Sequence, residues 1–114
     1  MVKALFIYGD GKYSITVKGH ACTAKSGEPD IVCAAASMLT YTLAQNAVDM
    51  AQARLLTIDR CKLDPGDAEI VFTTQKGHEA SADMVSSAIF RGYELLAAQY
   101  PKAVKAEKNC SGEN

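Results

Sequence analysis

Three features of the sequence predict an α+β fold: a single domain of two β-hairpins and two helices in the order ββαββα, with the helices packed on a mixed or antiparallel sheet. Strand-like runs flank the turn Gly9-Asp10-Gly11-Lys12, a long helical period begins at Asp30, and a second strand, strand and helix follow it. The 114 residues, 48% of them hydrophobic, suffice for one core and leave no room for two independent domains. The domain is expected to occupy residues 1–106, with 107–114 a mobile C-terminal tail.

Residues 2–8 are apolar on both alternating faces apart from Lys3, which predicts a strand covered on both sides. Residues 13–19 alternate, with Tyr13, Ile15 and Val17 on one face and Ser14, Thr16 and Lys18 on the other, completing a hairpin. The period vanishes over residues 20–29, a polar surface loop punctuated by Gly27 and Pro29. From Asp30, apolar residues Val32, Ala35/Ala36, Leu39, Leu43, Ala47 and Met50 recur at helical spacing as far as about Ala53. Asp30 is suited to the N-cap, since its carboxylate can accept from the N–H of Val32 or Cys33, and Pro29 discourages an earlier helical start. Cys33 then falls in the first helical turn.

Residues 55–63 and 68–74 form the second hairpin around Asp64-Pro65-Gly66-Asp67. After a polar stretch at 75–81, Val85, Ala88/Ile89, Gly92 and Leu95/Leu96 trace the second helix, which Pro101 ends. Residues 102–114 are charged, and the last of them are expected to be mobile.

A net charge of -1 gives no attraction to phosphate backbones or anionic membranes, so neither nucleic acid nor a membrane is an expected partner. No apolar stretch is expected to reach membrane-spanning length, and residues 2–8 are too short for a signal peptide. The four cysteines at 22, 33, 61 and 110 lack zinc-ribbon or dithiol spacing and read as reduced thiols of a cytoplasmic protein.

The pairing with evident chemistry is His20 with Cys33. A thiol ordinarily titrates near ~8.5, so a nucleophilic cysteine needs its thiolate favoured by about 2–3 kcal/mol. A first-turn position in a helix supplies only about 0.3–1 kcal/mol. An imidazole that takes the thiol proton would close the gap and later protonate a leaving amine. The loop that leaves His20 can return Cys33 beside it. On residue types alone, however, Cys33 in a helix of Ala, Leu and Val reads first as a small buried hydrophobe. Ser37 shares its face, as a substrate contact or a packing residue. Asp30 reads as a cap and loop anchor, or as a partner orienting His20. A metal site from His20, Cys22 and Cys33 with Cys61 or His78 matches no standard zinc spacing.

Gly19-His20-Ala21, Gly27 and Asp30-Ile31-Val32-Cys33-Ala34-Ala35-Ala36-Ser37, with Gly92-Tyr93-Glu94, Gln99-Tyr100-Pro101 and Val104-Lys105, resemble the bacterial ribosomal-processing cysteine protease (Prp, YsxB-like) family. The resemblance covers almost the whole chain and implies a catalytic dyad at His20 and Cys33, with Asp30 and Ser37 in the second motif. It further implies a homodimeric endopeptidase that removes the N-terminal extension of ribosomal protein bL27 after an aromatic residue, without metal or organic cofactor. The chain departs from the family pattern at Cys22, where glycine is usual, and in a loop about one residue longer. The expected mechanism places the oxyanion on backbone N–H groups at the helix N-terminus, including that of Cys33, with loop 22–29 closing over the substrate about Gly27. Three readings stand beside it: the same chemistry on another protein, such as a phage structural protein; a non-catalytic protein-binding or assembly module; and a thiol-based redox or metal protein, for which Cys22 next to His20 is the only encouragement.

Overall fold

Tyr13, Ile15 and Val17 alternate toward one side of their strand, and all three are buried, so one face of the sheet must carry the core. In the computed structural model, which describes residues 1–110, β1 (Val2–Gly9) and β2 (Lys12–Lys18) pair antiparallel across Asp10-Gly11. Both turn residues have positive φ, 54° and 77°, the conformation that matches a tight turn to the twist of its strands. The second hairpin joins β3 (Leu56–Asp64) to β4 (Asp67–Thr74) through Pro65-Gly66.

The sheet order is β3-β4-β2-β1-β5, antiparallel except where β1 meets β5 (Val104–Cys110) in parallel. Helices α1 (Ile31–Gln52) and α2 (Glu79–Gln99) cover one face of it. Val2, Ala4 and Phe6 of β1 meet Tyr13, Ile15 and Val17 of β2 and Ala68, Ile70 and Phe72 of β4 beneath the helices. Phe6 stands edge-on to Phe90 and Tyr93 of α2, with ring centroids 5.2 and 6.1 Å apart.

The helices approach each other at Gly92, where an added Cβ would lie 2.5 Å from Leu39 Cδ2. One turn of backbone is tied there by a side chain. Tyr93, wholly buried, donates to the Ala36 carbonyl at 3.0 Å and pairs with the Thr40 hydroxyl, which itself reaches Ala36 O at 2.8 Å.

The structure corrects four expectations. β1 is covered on one side only: Leu5 and Ile7 are half-buried on the open face, where no helix or strand among the described residues lies. α2 begins at Glu79, inside the stretch read as polar. Residues 104–110 form a fifth strand that the expected ββαββα order lacked, and it runs into the stretch expected as a tail. Val104 is buried against the helices, β5 pairs with β1 from Val2↔Val104 to Tyr8↔Cys110, and Lys105 and Glu107 ion-pair at 2.8 Å on its exposed edge. Of the expected tail, 107–110 therefore lie in the sheet, and 111–114 fall outside the described residues. Finally, α1 has the length and hydropathy of a membrane span, 22 residues with a window mean of 1.3. Its stripe of Val32, Ala36, Thr40, Leu43, Ala44 and Ala47 is nevertheless buried against the sheet and α2, the pattern of a core helix.

Candidate active site

The start of α1 is built around one carboxylate. Asp30 caps the helix by accepting from Val32 N at 3.1 Å and Cys33 N at 3.0 Å, so both expected partners are engaged. It also accepts from the Thr23 hydroxyl at 2.7 Å and from the N–H groups of Thr23 at 2.8 Å and Ala24 at 3.4 Å, which fastens the loop to the helix. The Thr23 hydroxyl, followed by the Cys33 and Thr23 amides, holds this carboxyl well below the usual carboxylate range.

Two expectations change in consequence. Asp30 is spent on capping and loop anchoring and does not orient His20. The Cys33 N–H already serves Asp30, so it is not the free oxyanion donor the sequence suggested. A lowered carboxyl pKa contributes stability above its ordinary value of 3.8, and that contribution is lost as pH falls toward the folded-state value. Asp30→Ala is expected to lower the melting temperature by about 4–8 °C at neutral pH. The deficit should shrink as acid protonates the carboxylate, which thermal melts of both chains across an acid series will show.

Cys33 is half-buried in the first turn of α1, and its Sγ accepts a hydrogen bond from the backbone N–H of Ala21 at 3.2 Å. The chain reaches that position through Gly19, whose φ is 94° and whose N–H donates to Gly66 O at 2.9 Å. A Cβ at Gly19 would lie 2.1 Å from the Met1 carbonyl oxygen, so only glycine passes here. His20 follows, exposed, with its imidazole against the β3–β4 turn: a Cβ on Gly66 would sit 2.3 Å from His20 Nε2.

His20 and Cys33 thus line one cleft, with Ser37 and Tyr41 continuing along α1 and Leu63 to Asp67 forming the opposite wall. Its volume of about 230 Å³ falls below the ~300–1,000 Å³ of typical small-molecule sites and is on the scale of a peptide side chain. Ser37 is exposed one helical turn beyond Cys33, as its spacing predicts. Gly27 does not line the cleft; it lies on the exposed part of the loop with a φ of 83° and no atom within 4 Å of a Cβ position. Cys22 has a φ of 55°, the left-handed region that glycine adopts without strain, which gives a physical reason for glycine being usual here in the family it resembles. Among the described residues no three His, Cys, Asp or Glu side chains converge as metal ligands.

Sequence reasoning passed over three contributors. Ala21 acts through its backbone, which no side-chain pattern reveals. Gly66 was legible as a turn residue but not as the floor under His20. Asp67, one residue on, ion-pairs with Lys18 and, at 2.6 Å, with Lys62, which steadies that turn and holds the carboxyl down to about 2. Gly66→Ala would place a side chain on the imidazole at a positive φ of 69°. The expected result is a displaced His20 and a loss of about 100-fold in kcat/KM, measured by peptide cleavage, in a chain that still melts cooperatively.

A thiol and an imidazole lining one cleft are the groups from which a base-assisted sulfur nucleophile is built. The cysteine protease Prp family profile matches residues 1–105. A crystal structure of SMU.848 from Streptococcus mutans superposes with a TM-score of 0.68 at 27% identity, covering 97% of this chain and 96% of that one. The essential ribosomal processing protease Prp from S. aureus, with a covalently linked product peptide, gives 0.72 at 17% identity over 96% and 100% of the two chains. The same protease with a substrate peptide gives 0.67 at 16% identity over the same shares. No curated protein sequence matches the chain. With the family profile spanning all but the last nine of its 114 residues, the chain belongs to the Prp cysteine protease family and is a cysteine protease.

Proposed function

We propose that Cys33 is the nucleophile and His20 the general base of an endopeptidase that removes the N-terminal extension of ribosomal protein bL27 during ribosome assembly. The protein would act as a cytoplasmic homodimer. The observation that carries this reading is the shared cleft, lined by the half-buried Cys33 and by the exposed His20, whose imidazole rests on Gly66 of the β3–β4 turn. Family membership and the peptide complexes of the S. aureus protease support the substrate class.

In the reaction, His20 takes the Cys33 proton and the thiolate attacks the scissile carbonyl carbon, giving a tetrahedral oxyanion. Collapse expels the amine, which takes the proton from His20, and leaves an acyl-enzyme on Cys33. Water, deprotonated by His20, then releases the acid product and restores the thiol. Ser37 and Tyr41 lie along the cleft where a bound peptide would run.

The test is incubation with a peptide carrying a bL27 extension followed by mass spectrometry of the products. Cleavage at one bond after an aromatic residue is expected, and intact peptide in the presence of a reactive Cys33 would move the reading to a different protein substrate. Light scattering on the same sample should give about twice the chain mass of 12.2 kDa.

A further inference from the structure

The dyad leaves one contact at the sulfur without a role: the Ala21 N–H that donates to Cys33 Sγ at 3.2 Å. We propose that the His20–Ala21 peptide is itself a catalytic group, whose N–H holds the Cys33 sulfur as a thiolate ready to attack. The inference rests on Cys33 being the nucleophile and identifies the donor that serves it.

The usual source of such help is largely taken up by Asp30. At the start of α1 the N–H groups of Val32 and Cys33 are bonded to the Asp30 carboxylate, as are those of Thr23 and Ala24. A negative charge seated on the helix N-terminus offsets the aligned peptide dipoles that would otherwise favour a thiolate. The amide aimed at the sulfur comes instead from the loop that leaves β2.

That amide is held from both sides. The carbonyl of the same peptide accepts from the Met1 nitrogen at 2.7 Å, and Gly19, just before it, donates to Gly66 O at 2.9 Å. Ala21 is 7% exposed, so little water competes for the bond. A donor fixed in place before charge develops needs no reorganisation when the charge appears.

The proton balance is simple. The Sγ–H proton passes to the His20 imidazole, the sulfur keeps the electron pair, and the N–H···S contact becomes charge-assisted and stronger. One short segment then supplies the base through the His20 side chain and the thiolate's donor through the next amide. The other titratable groups on the cleft are Tyr41, Asp64 and Asp67, the last paired with Lys18 and Lys62.

The test exchanges that amide for an ester by semisynthesis with lactic acid at position 21, which removes the N–H and keeps the methyl side chain. Alkylation by iodoacetamide is read on the Cys33 peptide by mass spectrometry as a function of pH. The expected result is a rate about 10–100-fold lower at neutral pH, converging with the all-amide chain where the thiol is ionised in both. Equal neutral-pH rates would overturn the proposal. His20→Ala in the same assay keeps the two readings apart: if it slows alkylation while the ester does not, the dyad stands and this proposal falls. A measurement on the unaltered chain guards against misfolding of the ester. The Ala21 amide proton should move downfield as Cys33 ionises and stay still in Cys33→Ala, and a resonance that ignores Cys33 ionisation in the unaltered chain overturns the proposal as well.

Discussion

Cys33→Ala and His20→Ala are each expected to lower kcat/KM for a cleavable peptide by about 10⁴-fold or more, and the double variant to be no worse than the more damaging single. In the proposed dyad neither residue does its work alone. Without the imidazole, the thiol has lost the base that takes its proton, and without the sulfur the imidazole has no nucleophile to deprotonate. Groups that act as one unit give non-additive losses. Kinetics of the wild type, the two singles and the double will decide it, with melting curves to confirm folding. Losses that multiply in the double variant would mean that the two side chains act independently and that the shared cleft is not a dyad.

Tyr93→Ala should be the most damaging substitution for stability, at about 3–5 kcal/mol, or roughly 12–20 °C in melting temperature. Tyr93 is fully buried, its ring stands 6.1 Å edge-on to Phe6, and its hydroxyl fastens α2 to Ala36 O and Thr40. Tyr93→Phe keeps the ring and removes the tie, at about 1–2 kcal/mol. It leaves Thr40 bonded to Ala36 O at 2.8 Å, so α1 stays helical but loses its anchor one turn from Cys33. Burial raises the Tyr93 phenol from 10.0 to about 12. A folded-state pKa above the unfolded one gives stability that is complete below pH 10 and lost as pH rises toward 12. Thermal melts in alkaline buffers should show that loss in the wild type and less of it in Tyr93→Phe.

The parts of the fold legible in the sequence are those with local causes. α1 starts after Asp30 and ends at Ala53 because a capping carboxylate, a preceding proline and an unbroken helical period are all written within the segment. The hairpins follow from Asp10-Gly11 and Pro65-Gly66, whose glycines adopt the positive φ those turns require. What escaped depends on partners far along the chain. β5 has few apolar residues and becomes a strand by pairing with β1, while the half-exposure of Leu5 and Ile7 depends on how many layers the sheet carries. The site shows the same division. Residue types brought forward His20 and Cys33, and Asp30 was recognised as a cap. Its occupation of the Cys33 amide, the Gly66 floor under His20 and the Ala21 donor all arise from tertiary contacts.

The parallel pairing of β1 with β5 also bears on the protein's birth at the ribosome. Synthesis is vectorial, so β1 leaves the exit tunnel well before its partner. Until residues 104–110 emerge, one edge of β1 has no strand beside it, and until Tyr93 emerges α1 lacks the anchor near its first turn. The loop after the first hairpin and α1, which carry His20 and Cys33, therefore wait on the C-terminal half for their final support. A nascent chain is accordingly expected to cleave peptide poorly until the closing strand is in place.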